Sequence, residues 1–592
     1  MVFFAIFCYY ALLFSNHYMD FSKIDLQKHQ KLARIIIEEA SKKSFKDRSA
    51  FERFRNSIIK ENKGEIFHNL YFVKAYNDLL KEGKIESNEE LLGLIQKRGI
   101  RTLSGVTPVT VMTKPFPCPG RCVYCPTDMR MPKSYLPSQP AAQRAFRQQF
   151  NPYTQVFVRL KALYMTGHEI SKVELRVIGG TWSAYKKTYQ VWFLKQCLMA
   201  MNEFYDQIEK GVGDNAKKIT RKNIIKSEYG EDEVNTVFLD PIGKANVKWE
   251  EVAKKNEKAS VRCIGINIET RPDFINEAEV ARLRTLGVTK VEMGVQTTDE
   301  EVQKITKRGH DLECVKRATK LLKDAGFKIG YHMMPNLPGA TVELDKRMIA
   351  ELFTGQDYQP DYLKIYPCMV VPKSELYDTY KRDKFKPYDD DTLLDVLYAQ
   401  LLSVPEWCRI DRVARDIPAT DIGEGSKMSN IRQVLEKKMS EEGHPCRDVR
   451  SREVGSAKVD PKNVGFVLRK YSAGGGAELF LSYEDLKNDK LIALLRLRFP
   501  DPQVSKNHFI SEIKNAALVR EVHVYGKQIA VGAKGKGKKQ HTGWGSRLMA
   551  DAEKLAKEEG FKKVAVISGI GTREYYRKSG YRLKGSYMLK ST

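Results

Sequence analysis

The chain has 592 residues, too many for one hydrophobic core, so two to four domains are expected. Hydrophobic residues make up 42% and charged residues 29%, which reads as soluble and globular, and the ten cysteines are scattered apart from one cluster, which excludes a secreted disulfide framework and fits a reducing cytoplasm. A formal net charge of +26 points to an acidic polymer as partner, nucleic acid being the simplest, although a lysine-rich proteome would produce the same excess.

The run Met1 to Phe14 is almost wholly apolar, yet it lacks a basic flank and falls short of the ~20 residues that cross a bilayer. Met19 opens ordinary polar sequence, and a start of translation there explains the run better than a membrane anchor. From Met19 to about Lys97, apolar positions such as Leu32, Ile35 and Ile36 recur at helical spacing among many charges. The pattern predicts a basic helical region over 1–97, whose cations, including Lys43, Lys46 and Arg53, either track a phosphate backbone or form a solvated face.

Cys118, Cys122 and Cys125 follow in the run Pro-Cys-Pro-Gly-Arg-Cys-Val-Tyr-Cys-Pro. Three thiolates in one loop can hold a 4Fe-4S cluster by three irons and leave the fourth open, as binding and reductive cleavage of S-adenosylmethionine require. Zinc usually wants a fourth Cys or His nearby, and the next cysteine is Cys197.

After this loop, β-rich runs at Val173 to Ile178, Cys263 to Glu269, Lys290 to Gln296, Lys328 to Met334 and Tyr362 to Tyr366 alternate with amphipathic stretches at 277–286, 312–325 and 342–354. The α/β alternation predicts a parallel arrangement, a partial TIM-like barrel over 98–385 with its site at the C-terminal ends of the strands. A lysine-rich stretch over 210–258 reads as a mobile basic insertion. Gly179, Gly180 and Thr181 end one strand, where glycine lets a ligand approach the backbone closely. Glu269 and Arg271 end another and Gln296 the next, and together they could bind the amino, carboxylate and ribose groups of S-adenosylmethionine, unless Glu269 and Arg271 are simply a structural pair. His332 reads as a satisfied core histidine.

Residues 386–461 turn helical and irregular and are expected to connect two domains; within and beside them Cys368, Cys408, His444 and Cys446 could form a structural zinc site, or remain free thiols. The second α/β unit, over 462–592, runs from a strand at Leu518 to Tyr525 through a lysine and glycine loop to Gln540-His-Thr-Gly543-Trp544-Gly545, and then into a helix. Such a turn aims free N–H groups and the helix dipole at a pyrophosphate. A further strand and the pair Tyr575 and Tyr576 follow.

This order of elements resembles the GNAT acetyltransferases, and the cysteine loop resembles that of radical SAM enzymes. Their union is similar to the catalytic subunit of Elongator in its archaeal form, a likeness that runs from about Lys97 to Lys590. The resemblance implies modification of tRNA wobble uridine to 5-carboxymethyluridine, with acetyl-CoA giving the carbon unit and S-adenosylmethionine the radical that abstracts hydrogen from its methyl group. It also implies the anticodon stem-loop as acceptor and an electron donor for the cluster, and leaves a homo-oligomer open. By the same match Lys172 would reach acetyl-CoA from the radical half, and Glu521, Val522, His523 and Val524 would line the thioester. Gln540, Gly543, Trp544, Gly545 and Ser546 would contact pyrophosphate, and Tyr576, with Tyr575 as its rival, would sit near the acetyl group. The loop Lys534 to Lys539 departs from the usual family loop.

The main alternative is a protein (histone) lysine acetyltransferase with a structural iron–sulfur domain, for which Glu521 is the obvious general base. A noncatalytic tRNA-binding scaffold would not need an open-iron cysteine triad.

Overall fold

A computed structural model describes residues 29–96, 105–209, 247–455, 457, 459–526 and 543–592. The expectations for residues 1–14 and Met19, for most of the basic insertion, for the loop 534–539 and for Gln540 lie outside them. The chain divides into two compact units, one gathering residues 1–100, 157–170 and 203–246, the other 101–156, 171–202 and 247–592. No described helix is long and apolar enough to cross a membrane.

The first unit contains the expected helical region. Its helices Gln30–Ser41, Arg48–Glu61, Asn69–Lys81 and Glu89–Ile95 are started by side-chain caps at two of the four N-termini, Asp47 and Asn88, each accepting from the N–H three residues on. Their apolar stripes meet in a core that includes Ile36, Phe51, Phe72 and Leu79.

The second unit holds two seven-stranded sheets. The first is wholly parallel and runs in sequence order: β1 (Thr107–Met112), β2 (Lys172–Ile178), β3 (Arg262–Thr270), β4 (Val288–Gln296), β5 (Lys328–Met333), β6 (Tyr362–Ile365) and β7 (Arg409–Val413). Five strands fall where the sequence predicts them. The connector expected over 386–461 is corrected by β7, which lies within it and completes the sheet, preceded by the helix Asp390–Leu402. β1 also escapes a reading based on alternation, because Pro108 interrupts it, a residue tolerated here because β1 is an edge strand.

The second sheet comprises β8 (Val464–Ala473), β9 (Gly476–Asp485), β10 (Lys490–Phe499), β11 (Ala517–Val524), β12 (Lys563–Val566), β13 (Arg582–Lys584) and β14 (Tyr587–Ser591), in the order β13-β14-β12-β11-β10-β9-β8. β11 and β12 are its one parallel pair and they register only over residues 517–519 against 564–566, after which β11 continues as far as Val524 paired with β10 only. The helix Trp544–Glu558 buries Leu548, Met549, Ala552 and Ala556 on one face of this sheet.

The other face meets the N-terminal ends of the barrel strands. Arg520 of β11 donates to Asp361 just before β6 (3.0 Å), to Glu478 of β9 (2.7 Å) and to the carbonyl of Phe327 before β5 (2.6 Å). Arg498 of β10 adds Asp324 and Glu478 to the same fully buried network. At Gly569 the second sheet approaches so closely that an added Cβ would lie 2.0 Å from the carbonyl oxygen of Ile264.

β11 therefore underlies the barrel. Arg520 sits beneath β5 and β6, and beyond it Tyr525 lies against Arg409 of β7 (Nη1 to hydroxyl, 3.5 Å) and the Gly526 carbonyl approaches Gly105, which leads into β1.

Candidate active site

At the C-terminal ends of the barrel strands the cysteine loop is fastened by its backbone: Val123 N–H donates to the Thr306 carbonyl (3.2 Å) and Leu376 N–H to the Val123 carbonyl (2.9 Å). Arg308 Nη1 donates to both Cys122 Sγ and the Tyr124 hydroxyl, each at 3.1 Å, while its Nη2 holds the carbonyl of Gly294 at the end of β4. Hydrogen bonding by Cys125, followed by the charges of Arg308 and Arg271, lowers the Cys122 thiol to about 5. Two thiolates and a third from Cys118 would accumulate negative charge, and the guanidiniums stand ready to offset it.

The expected S-adenosylmethionine residues surround this loop. Gly179 has φ 135° and its α-carbon crowds Thr113, so that a Cβ would fall 2.0 Å from Thr113 Oγ1; only glycine fits. Thr181 Oγ1 lies 3.8 Å from Cys118 Sγ. Arg271 is anchored to Asp273 by Nε and Nη2 (2.9 and 3.0 Å), leaving Nη1 buried without a partner and aimed at Gly120, where a Cβ would sit 2.4 Å away. Arg271 thus pairs with Asp273 rather than with Glu269. Gln296 takes φ 77°, an uncommon conformation for a side-chain-bearing residue, and its Oε1 is likewise buried and unpartnered. Three thiols, a glycine cradle and two buried, unsatisfied polar atoms fit a cluster with a polar ligand beside it.

Glu269 turns inward. Its carboxylate accepts from the Tyr135 hydroxyl (3.2 Å) and from Lys364 Nζ of β6 (3.1 Å). Lys364 also bonds Glu292 of β4, which accepts from His332 Nε2 (3.0 Å) and Asn267 Nδ2 (2.7 Å). Deeper still, Lys290 Nζ pairs with Glu292 (3.1 Å) and Asp411 (2.8 Å) and lies 3.6 Å from the centre of the Tyr362 ring. Burial alone would raise the Glu292 carboxyl, but Lys364 and Lys290 hold it well below its usual range. A barrel of this kind is ordinarily filled with branched apolar side chains; here the interior is an ion network. His332 is part of that lining, 17% exposed, and is satisfied there by Glu292.

The network ends on the second sheet. The Tyr362 hydroxyl donates to Glu521 Oε1 (2.5 Å) and Arg496 Nε to Glu521 Oε2 (2.9 Å). Burial would raise this carboxyl too, yet Lys328, Arg496 and the Tyr362 bond keep it down at about 2. A register shift at Arg520, opposite Arg496 and Leu497 of β10, puts both Arg520 and Glu521 on the barrel face; alternation resumes beyond it, so His523 shares that face while Val522 and Val524 pack with the core on the helix side. Lys172 opens β2 beside Arg262 of β3, and Gly571 of the second half packs against the Cβ of that arginine.

On the helix side, Gly543 (φ 109°) precedes the first turn of Trp544–Glu558, which has neither a side-chain cap nor an acidic residue. The first turn of a helix is where backbone N–H groups and the helix dipole favour an anion. The Trp544 ring lies 4.7 Å from the tilted ring of Tyr483 and 4.7 Å from the Arg547 guanidinium, and Ser546 is exposed. A Cβ on Gly545 would lie 3.1 Å from the Tyr575 hydroxyl and 3.5 Å from Val524. Tyr575 is 41% exposed, whereas the Tyr576 ring is 7% exposed within the core of the sheet.

The four suggested zinc ligands do not assemble. Cys368 packs with Cys122 and Tyr124, and the Cys446 thiol donates to Asp448 (3.4 Å). Among the described residues the group able to converge on one ion is Glu269, Glu292 and His332, and the Lys364 ammonium already occupies it.

Comparison with known proteins agrees with both halves. Residues 212–350 match the Radical SAM superfamily and residues 360–441 the Radical SAM C-terminal domain. The tRNA uridine(34) acetyltransferase of Methanocaldococcus infernus is 40% identical over 95% of this chain and 99% of its own length. The chain belongs to the family of tRNA uridine(34) acetyltransferases and Elongator complex protein 3. Within that family, Elongator complex protein 3 of Homo sapiens is 38% identical over 84% of this chain and 86% of its own. The solved structure of the archaeal Methanocaldococcus infernus Elp3 with an N-terminal deletion covers 83% of this chain and all of its own with a TM-score of 0.66 at 39% identity.

The sequence motifs of the family locate the rim of the site. They miss Arg308, which lies in the loop after the helix Glu300–Ile305 and carries no periodic signal, and also Glu292, Lys364 and Tyr362, whose only signal is a charged or polar residue at every second position of a predicted strand, as in Lys290-Val291-Glu292.

Proposed function

We propose that the chain is a radical S-adenosylmethionine enzyme that converts the wobble uridine of tRNA to 5-carboxymethyluridine with acetyl-CoA as carbon donor. The observation that carries this reading is that one strand, β11, presents one face to the uncapped glycine turn and the other to the barrel interior that leads to the cysteine triad. At ~3.3 Å per residue, β6 itself spans about 10 Å from Tyr362, on Glu521, to Ile365 at its C-terminal end.

Cys118, Cys122 and Cys125 would hold the 4Fe-4S cluster. Bound cluster and S-adenosylmethionine supply one-electron hydrogen abstraction, chemistry that no side chain can provide. Arg271 Nη1 and Gln296 Oε1 offer S-adenosylmethionine a donor and an acceptor that are already desolvated, and the Gly179–Gly180 edge admits its backbone-like methionine end. The Gly543 turn holds the pyrophosphate of acetyl-CoA, Val522 and Val524 flank its pantetheine, and Lys172 reaches toward it from the barrel. The ion network keeps the interior polar yet rigid, so that a flipped base is met by fixed charges rather than by bulk water.

Glu521 is a poor general base. With its carboxyl near 2 and both oxygens engaged, it is badly matched to deprotonating a lysine at neutral pH. This weighs against protein lysine acetylation, as do the names borne by the relatives and the net charge of +26.

The test is anaerobic incubation of the reconstituted protein with tRNA, acetyl-CoA and S-adenosylmethionine. 5′-Deoxyadenosine and carboxymethyluridine in the digested tRNA are expected; a spectroscopically intact cluster that yields neither would refute the reading.

A further inference from the structure

On the outer side of the cysteine loop, Met129 is 88% exposed, the most exposed of the large apolar side chains described. Its loop is not slack. Asp128, buried, accepts from Arg130 Nε and from Lys373 Nζ, both at 2.9 Å, and the Thr127 N–H donates to the Lys373 carbonyl (3.0 Å). Lys373 takes φ 67°, a conformation that costs a lysine energy and that these bonds hold in place. Beside the loop, Ile305 is 50% exposed, and Lys307 pairs with Glu375 at 2.5 Å. The turn carrying them is the one that receives the Val123 N–H.

Three segments are therefore joined, and they expose Met129 and Ile305 together with Arg121, Arg130, Lys304, Lys307 and Lys373, which outnumber Asp128, Glu301 and Glu375. Four Cα steps of at most ~3.8 Å keep Met129 within about 15 Å of Cys125. We propose that this face docks a small acidic protein carrying a one-electron flavin or iron–sulfur group. The inference rests on the radical reading, in which the carrier loses one electron and the cluster held by the three thiolates gains it.

Brief redox encounters use small interfaces, steered by complementary charge and centred on residues such as methionine and arginine. An acidic carrier matches the excess of cations, and the exposed Met129 and Ile305 offer it apolar surface that expels water on docking. RNA would also be drawn by the cations, but a single-stranded segment seeks rings to stack on, and the exposed residues of this face named above include none.

The test uses full-length reconstituted protein with a purified flavodoxin and a purified acidic ferredoxin as probes, comparing Met129→Asp and Lys307→Glu with wild type and with Met129→Leu. Binding of at least one carrier is expected to weaken with salt, to fall tenfold or more in both charge variants, and to survive in Met129→Leu. Oxidation of the pre-reduced carrier in stopped flow should slow in parallel, while dithionite-driven 5′-deoxyadenosine formation and tRNA affinity stay unchanged. If neither carrier binds wild type, or if carrier affinity is the same in both charge variants, the proposal is wrong. Lost tRNA affinity with carrier affinity retained would assign the face to RNA and also overturn it. Should a variant lose cluster absorbance, titration of the carrier against the cluster-free proteins decides. Absence of product with dithionite in wild type would count against the radical reading alone.

Discussion

Tyr362, the first residue of β6, donates its hydroxyl to Glu521 of β11 at 2.5 Å, so that the barrel and the acetyltransferase-like sheet are joined at the carboxylate that also receives Arg496. Sequence alone would make Glu521 a candidate base; the structure makes it a positioning residue, because its lone pairs are spent on holding two sheets in register.

Glu521→Gln takes from Arg496 one of its two carboxylates, Asp361 at 3.5 Å remaining, and removes the one beside Lys328, and should cost about 1.5–3 kcal/mol in chemical denaturation. The folded carboxyl, at about 2, lies below its unfolded value of ~4.3, so its contribution is fully present above about pH 5 and is lost as pH falls toward 2. Wild type and variant should converge in stability at the acid end. A gap that persists undiminished at pH 2 would show that ionisation of Glu521 is not what matters.

Cys122→Ala removes the thiol that Arg308 grips. The variant should lose the cluster's visible absorbance and both 5′-deoxyadenosine and carboxymethyluridine, while binding tRNA as wild type does. Retained 5′-deoxyadenosine formation would exclude Cys122 as a cluster ligand.

Much of the fold was legible because parallel strands and their covering helices write different periods into the sequence, and five of the seven barrel strands fall where those periods place them. β7 was hidden because it is only five residues long and the adjacent charges Asp411 and Arg412 break its alternation in a helical neighbourhood, and β1 because of Pro108. The rim of the site was legible where chemistry demands particular residues, as at the cysteines and at Gly179. Its interior was not: Lys290, Glu292, His332 and Lys364 acquire meaning only when three strands bring them together, and no local pattern records which strands are neighbours.

Gly569→Ala should separate the two sheets. The new methyl carbon would meet the Ile264 backbone at 2.0 and 2.4 Å, and backbone cannot rotate aside. A loss of at least ~2 kcal/mol is expected, against a neutral or slightly favourable change for Gly93→Ala, which lies in the helix Glu89–Ile95 with no atom within 4 Å of the added carbon. Equal melting temperatures for the two variants would contradict the close approach at Ile264.

Tyr575 and Tyr576 should separate binding from folding. Tyr575 is half-exposed with its hydroxyl over Gly545, so Tyr575→Ala is expected to raise the KM for acetyl-CoA several-fold at nearly unchanged stability. Tyr576 is a core ring packed against Tyr581, and Tyr576→Ala should cost about 3–5 kcal/mol. The reverse pattern, a folded Tyr576→Ala protein with impaired acetyl-CoA use, would return the cleft role to Tyr576.

The basic character of the helical unit leads to a prediction about salt. Lys43, Lys46 and Arg53 are exposed there, while Arg34 is already paired with Glu82 and Arg48 with Glu52, so the first three are the better candidates for phosphate contact. Each phosphate neutralised by a cation releases counterions and steepens the dependence of affinity on salt by ~0.7–0.9 in log–log slope. Reversing all three charges to Glu should therefore weaken tRNA binding at low salt and flatten that slope by about 2, with no change in melting temperature. Full-length protein is the right subject, because deleting residues 1–100 would also strip the compact unit that residues 157–170 and 203–246 share with them. An unchanged slope would mean that these cations form a solvated face, and that tRNA is held elsewhere.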